Sequence, residues 1–279
     1  MCGRYAATAN PGELVEEFEV DVDRTGEPSR SVLANPQEPP AGTPDYNMAP
    51  TKQAPVVLTR PPRGEPDGAP ERQLRLLTWG LVPSWSKDSR GGARMINARA
   101  ESVLTKPAYA RAVERRRCIV PARGWYEWQV SPTALDPRGA PRRQPFFTRR
   151  ADGASVGFAG LYEFWRDPAV PDAEDPSAWL TTFTIITTVA EPGLDRIHDR
   201  QPLVLEPSDW PRWLDPGVTD GPAVEDLLRY AAPGRFEAYP VSTAVSSSRA
   251  NGPGLLEPAP AESLLGVVDP MTGEIVGAG

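Results

Sequence analysis

The sequence predicts an α+β chain in which antiparallel strands build one barrel-like core and short helices flank it. Three observations carry this. Runs with strand composition outnumber runs with helical periodicity. Most connections between the runs are short, which favours antiparallel neighbours. The 34 Pro and 24 Gly are spread unevenly, as in a loop-rich α+β chain.

The elements follow in order. Asn10 to Phe18 reads as a short helix: Asn10 caps it, Pro11 suits its first turn, Glu13 stands three residues after the cap, and Leu14 and Phe18 share a face. Residues 21–45 are Pro-rich, acidic and aperiodic, hence loop. Pro55–Thr59 and Gln73–Trp79 read as strands around a Pro/Gly loop at 60–70. Residues 107–116 form a helix with Thr105 near its start and Arg115, Arg116 and Arg117 near its end, where cations suit the dipole. "CIVPARGWYEWQV" reads as strand, turn, strand. Further strands are expected at Gln144–Arg149, Ser155–Phe164, Trp179–Val189, Pro202–Leu205 and Phe236–Val241, with helices at 207–214 and 222–231. Stretches 131–143 and 166–178 read as exposed insertions. No internal repeat is present, and the tail beyond about residue 258 reads as partly disordered.

Composition excludes several classes. No run approaches the ~18–20 apolar residues that span a bilayer, and "MCGRYAATANPGE" lacks the basic start and apolar core of a signal peptide. Two cysteines, Cys2 and Cys118, exclude a disulfide scaffold and a cysteine-rich zinc module, so a reducing, cytoplasmic setting is expected. The net charge of −7 conceals a gradient. Lys87 to Arg123 holds ten Lys/Arg against Asp88, Glu101 and Glu114, a local +7, which leaves about −14 elsewhere. Such a block suits a local anion site; a solvated helix face is the alternative.

A few residues stand out chemically. Removal of Met1 would make Cys2 a free 1,2-aminothiol, with an amine of reference pKa about 7.7–8 and a thiol of about 8.5. The amine of such a residue condenses with an aldehyde and the thiol then closes a thiazolidine; an incidental second-position cysteine is the plainer reading of position alone. His198, the only histidine, suits proton transfer or a hydrogen-bonded loop, and one His with two Cys is too sparse for a metal site. Glu127, between Tyr126 and Trp128, is a general-acid candidate if desolvated, or a solvent-facing strand residue. Asn97 and Arg99 share a face if "MINARAES" is extended, with Arg99 suited to phosphate and Asn97 to a sugar or aldehyde oxygen. Trp79, Trp85 and Tyr46 lie near Pro/Gly turns and suit base stacking or core packing.

Taken together, "MCGRYA", "YNMAPT", "WGLVPSW", "INARAES", "RRCIVPARGWYEW", "QPFF", "GLYEFW" and "IHDRQPLVL" occur in order and resemble the SRAP family, SOS-response-associated peptidase-like proteins that shield abasic sites in single-stranded DNA. The resemblance spans residues 2–257, implying one α+β domain over 1–257 with a basic single-strand groove, insertions near 60–70, 131–143 and 166–178, and a separate tail at 258–279. It implies Cys2 as the nucleophile that crosslinks an abasic aldehyde as a thiazolidine, Asn97 as the residue positioning sugar and Cys2, Glu127 as acid/base in ring opening and Schiff-base formation, and His198 as the second proton-transfer group. It places Arg4, Asn47, Arg99 and Arg200 along the DNA channel, and Trp79 and Trp85 in the aromatic segment that splays the strand. No cofactor, metal or membrane is implied. The expected partner of a monomeric, nucleoid-associated protein is single-stranded DNA carrying abasic sites. Ser246 and Ala250 stand where the family often has Asn. Two other readings use the same residues: a thiol autopeptidase with Cys2 as N-terminal nucleophile, and a non-covalent single-strand-binding module in which Cys2 is incidental.

Overall fold

The computed structural model describes residues 2–276 except 63, 66, 173, 230 and 231. In chain order the strands are β1 Arg4–Ala7, β2 Val22–Asp23, β3 Asp45–Met48, β4 Gln53–Arg60, β5 Glu71–Trp79, β6 Asn97–Arg99, β7 Arg117–Ala122, β8 Gly124–Leu135, β9 Pro141–Arg150, β10 Val156–Arg166, β11 Trp179–Val189, β12 Arg200–Pro202, β13 Val204–Leu205 and β14 Phe236–Pro240. The α-helices are α1 Pro11–Glu17, α2 Ala110–Arg115, α3 Trp210–Leu214 and α4 Gly221–Leu227.

Strands β4, β5, β11, β10 and β7 close a five-stranded barrel. Four of its contacts are antiparallel, as the short connections require. The fifth is parallel: Thr78 and Trp79 of β5 pair with Thr182 and Phe183 of β11. A second sheet, in the order β14–β9–β8–β1–β3, packs against it.

Alternation along the barrel strands explains their nearly continuous apolar runs. Val56, Leu58, Cys118, Val120, Phe158 and Ile185 join the cluster that takes in Cys2, Tyr5, Trp125 and Phe236 of the second sheet. The residues between them, Val57, Ile119, Ala159 and Ile186, face Leu14, Phe18, Val113, Trp213 and Val224 of the helices. With both faces covered, period-2 polarity disappears and only apolar character remains. Helix α1 begins as its sequence dictates, with Glu13 N–H donating to Asn10 Oδ1 (3.1 Å) and Asn10 N–H donating to Glu13 Oε2 (2.8 Å).

Several expectations need correction. The 131–143 stretch forms the outer arms of the β8–β9 hairpin; only its tip is a loop, where Asp136 Oδ1 accepts from Arg138 and Ala140 N–H. The tail folds back: Val267 is buried, Val268 bridges Ile275, and Val241 bridges Pro258. The 107–116 helix shortens to α2 without a side-chain cap. The 222–231 helix ends at Leu227, with residues 230 and 231 outside the described set. Strands β1, β3 and β6, too short to announce themselves, supply three of the candidate segments.

One close backbone approach sets the geometry leading to Asn97. Gly80 has φ +131°, and a Cβ there would lie 2.6 Å from Gly92 O; a Cβ on Gly92 would lie 2.7 Å from Gly80 O. Only glycines let the exit of β5 touch the turn that feeds β6. Gly80→Ala is expected to lower stability by about 2–3 kcal/mol, measured by chemical denaturation. A change below about 0.5 kcal/mol would show that the contact is not required.

Candidate active site

Strand β11 acts as the ruler of the site. Along its C-terminal half, Ile185 pairs with Asn97 and Thr187 with Arg99 of β6, while Val189 pairs with Arg200 of β12. Asn97 therefore stands on one side of β11, and the turn carrying His198 enters on the other. The second sheet brings the remaining groups. β1 runs antiparallel to β8 with Arg4 opposite Tyr126, so the N-terminal end of the chain enters alongside Glu127.

These four residues come together. Asn97 Nδ2 donates to the Cys2 carbonyl at 2.8 Å. Asn97 Oδ1 is buried and accepts no hydrogen bond from the described residues, so it can receive a donor from a ligand. The Tyr109 hydroxyl donates to the Asn97 carbonyl at 3.3 Å and steadies that strand. Cys2 is fully buried, its Sγ 3.8 Å from the Arg4 carbonyl. Burial, reinforced by the Glu127 charge, pushes its thiol well above the usual range, so it rests protonated. Cys118, the other cysteine, is buried and its thiol is likewise raised by desolvation.

Glu127 is 5 % exposed. Desolvation raises its pKa to about 7. A carboxyl poised there can give or take a proton near neutrality. His198 Nδ1 lies 3.0 Å from Arg200 N–H and 2.8 Å from Asp199 Oδ1. The two contacts demand opposite states of Nδ1: it accepts from Arg200 when bare and donates to Asp199 when protonated. Burial lowers the imidazole's pKa, so the resting ring is neutral with Nδ1 accepting.

The DNA-facing expectations divide. Trp85 is 65 % exposed, on a loop fixed by Val82 N–H donating to Thr182 Oγ1 (2.9 Å) and by Trp165 Nε1 donating to Ser86 O (2.7 Å). Arg99 is exposed on β6. Trp79, by contrast, is fully buried, edge-on to Tyr5, with Nε1 donating to Ile96 O. It supports the Asn97 segment and offers no face to a base. Asn47 is also buried: its Nδ2 donates to the carbonyls of Val245, Ser247 and Ala250, and its Oδ1 accepts from Arg4 Nη1. It fixes Arg4 and the 245–250 segment from within. Arg200 forks onto Glu101 (2.6 and 2.9 Å) and reaches Thr187 O, so it braces the β6–β12 edge.

The basic block is likewise not one surface. Arg117 is buried on the carbonyls of Val113, Glu114, Trp213 and Asp215, and Arg116 pairs with Glu163. Lys87, Arg94, Arg99, Lys106, Arg111 and Arg115 remain exposed. Ser246 and Ala250 keep contacts despite their identity. Ser246 Oγ accepts from Trp128 Nε1 (3.0 Å), and the neighbouring Asn251 Oδ1 accepts from Tyr46 N–H (2.8 Å). Asp199, inside "IHDRQPLVL" but not singled out there, and Gln129, one residue past "RRCIVPARGWYEW", also frame the site.

Fold and site together define a class: a closed barrel that seats a near-terminal cysteine beside a buried Glu and a half-buried Asn and His. The sequence profile of the family described as SOS response associated peptidase (SRAP) matches residues 1–248, and the chain belongs to that family. It is 34% identical over 259 residues to abasic site processing protein YoqW of Bacillus subtilis, covering 92% of this chain and 99% of that one. It is 29% identical to the mouse abasic site processing protein HMCES, covering 93% of this chain and 76% of that one. Among solved structures, a protein from Bacteroides thetaiotaomicron shares the fold with TM-score 0.66 at 22% identity, covering 92% of this chain and all of the other. A phage-related protein from Bordetella bronchiseptica aligns with TM-score 0.59 at 29% identity, covering 90% of this chain and 99% of that one.

The Glu127 shift carries a sign. Between its unfolded value of 4.5 and its folded value of about 7, the folded protein holds a proton that the unfolded chain releases. Stability is therefore lost as pH rises through that window, by about 3 kcal/mol at its upper end. Glu127→Gln is expected to match the native protein near pH 4 and to exceed it progressively toward pH 8. Denaturation across that range checks this; a pH-independent difference would assign no buried charge to Glu127.

Proposed function

We propose that this protein captures abasic sites in single-stranded DNA by covalent attachment through Cys2, once Met1 is removed. The observation that carries the reading is the Asn97 hydrogen bond to the Cys2 carbonyl, which seats the N-terminal residue beside the buried Glu127. The names of the relatives YoqW and HMCES, both abasic site processing proteins, point the same way.

The chemistry balances without a cofactor. The Cys2 α-amine attacks the aldehyde carbon of the ring-opened deoxyribose. Glu127 in its protonated form delivers a proton to the departing oxygen, and water leaves an imine. The thiol then adds across the C=N bond, sulfur to carbon and proton to nitrogen, closing the thiazolidine with a net loss of one water. A protonated thiol suits this order, because the amine acts first. Asn97 holds the Cys2 end and offers its Oδ1 to the sugar. The neutral imidazole of His198 serves the second proton transfer. The autopeptidase alternative needs an ionised thiol as first nucleophile, which the burial of Cys2 opposes.

Exposed Arg99 supplies phosphate attraction and Trp85 a stacking face. Arg4, Asn47, Trp79 and Arg200 shape the channel from beneath. Single strands suit the site because an unpaired lesion is cheaper to seat than a stacked one.

Incubation of the Met1-processed protein with a single-stranded oligonucleotide carrying one abasic site is expected to give a band stable on a denaturing gel. Its mass equals protein plus DNA minus one water. Cys2→Ala abolishes the band yet keeps salt-sensitive binding. No band, with Met1 removal confirmed by mass, would refute the proposal. For the channel, Arg99→Ala is expected to reduce the salt slope of binding by about 0.7, and Trp85→Ala to weaken binding by about 1–3 kcal/mol. Fluorescence titrations over a salt series check both; unchanged slope and affinity would remove these contacts.

A further inference from the structure

Three parts of the molecule meet at Gln129. It stands two residues beyond Glu127 on β8, so the two side chains leave the same face of the strand. It is 2% exposed. Its Nε2 donates to Arg196 O (3.1 Å) and to Val268 O (2.9 Å), and its Oε1 accepts from Val268 N–H (2.8 Å). A primary amide has two donors, and both are committed here.

The partners belong to the two segments that flank the chemistry. Arg196 closes the 3-10 turn Leu194–Arg196, two residues before His198, and its Nη1 donates to Pro270 O at 2.6 Å. Val268 and Pro270 belong to the tail. There Gly266 N–H donates to Val276 O and Val276 N–H to Val267 O, each at 2.8 Å, forming a small hairpin. Its turn is fixed by Asp269 Oδ1, which accepts from Met271 and Thr272 N–H. Gly273, at φ +78°, lies against the Arg196 side chain, with a Cβ position 3.4 Å from Nε. Farther along β8, Ser131 Oγ donates to Gly266 O at 2.6 Å. The hairpin lies beyond residue 248, where the family match ends.

We propose that Gln129 is a positioning residue for the lesion chemistry: with the tail hairpin it fixes the His198 turn against the Glu127 strand. This rests on the reading of function given above. Gln129 touches no reacting atom. It sets the spacing of the two proton-transfer groups, one on β8 of the second sheet and the other on the turn that precedes β12 of the barrel sheet. Without it, the turn keeps the Arg196 side-chain bond to Pro270 O, Ala190 N–H to Asp199 O at 3.0 Å and local bonds such as His198 N–H to Leu194 O at 3.1 Å, and loses its direct tie to β8. Displacement of a catalytic group by about 1 Å is enough to cost up to a hundredfold in rate.

The test uses full-length Gln129→Met, which keeps side-chain length and removes all three hydrogen bonds. A second variant, Arg196→Ala, removes the Pro270 bond at an exposed position. His198 is the only histidine, so its imidazole Cε1–H resonance in proton NMR reads the turn by itself. Gln129→Met is expected to slow adduct formation at saturating abasic oligonucleotide by about tenfold or more, to leave the Kd for the intact strand unchanged, and to shift or broaden the His198 resonance. Arg196→Ala moves rate and resonance in the same direction by less, and decides the matter if Gln129→Met does not fold. A folded variant with the native rate and the native resonance overturns the proposal. If the native protein forms no adduct, the functional reading fails by itself; the resonance then decides whether Gln129 positions the turn, a shift supporting it and an unchanged signal overturning it.

Discussion

The pairing of β11 with four other strands is the constraint on which the rest depends. Its N-terminal half is bonded to β10 and β5, which closes the barrel; its C-terminal half is bonded to β12 and β6, which carry the approach to His198 and Asn97. One strand thereby fixes both the enclosure and the spacing of two site residues. The parallel contact between β5 and β11 is short, two residue pairs, but it removes a sheet edge that would otherwise face solvent.

The second sheet holds the N-terminal end of the described chain. β1 is only four residues long, yet it pairs on both sides, with β8 and with β3. Cys2 is thus delivered by a strand that cannot slide without losing two ladders. Side-chain amides then tie one sheet to the other: Asn97 reaches the Cys2 carbonyl, and Gln129 reaches the Arg196 carbonyl. Amides suit this task because they hold geometry without adding charge to a region where Glu127 is already costly to ionise.

Electrostatics at the site follow from burial more than from neighbouring charges. Desolvation is the leading influence on Cys2, Glu127 and His198 alike. It keeps the thiol protonated, brings the carboxyl to about 7 and leaves the imidazole neutral. All three are then less charged than in water, which suits condensation of a neutral amine with an aldehyde. Of the cations in the basic block, Arg117 is buried and serves the frame, bonded to four backbone carbonyls.

Much of this was legible in the sequence. The capping box at Asn10 and Glu13 and the bounds of β11 follow from local chemistry, and the ordered motifs name Cys2, Asn97, Glu127 and His198. The exposure of Trp85 and the burial of Trp79 were not legible, because both sit in one aromatic, Pro/Gly-punctuated segment and only packing separates them. From the sequence Asn47 and Arg200 read as DNA contacts, since a polar side chain carries no mark of which carbonyl or carboxylate it meets in the fold. The tail reads as partly disordered because its burial depends on β8 and the His198 turn, which are more than sixty residues away in sequence. Local propensity and motif order are written in neighbouring residues and so are fixed by the sequence directly. Barrel closure, the shifted proton affinities and the Gln129 junction arise from contacts between distant segments, and exist only once the chain has folded.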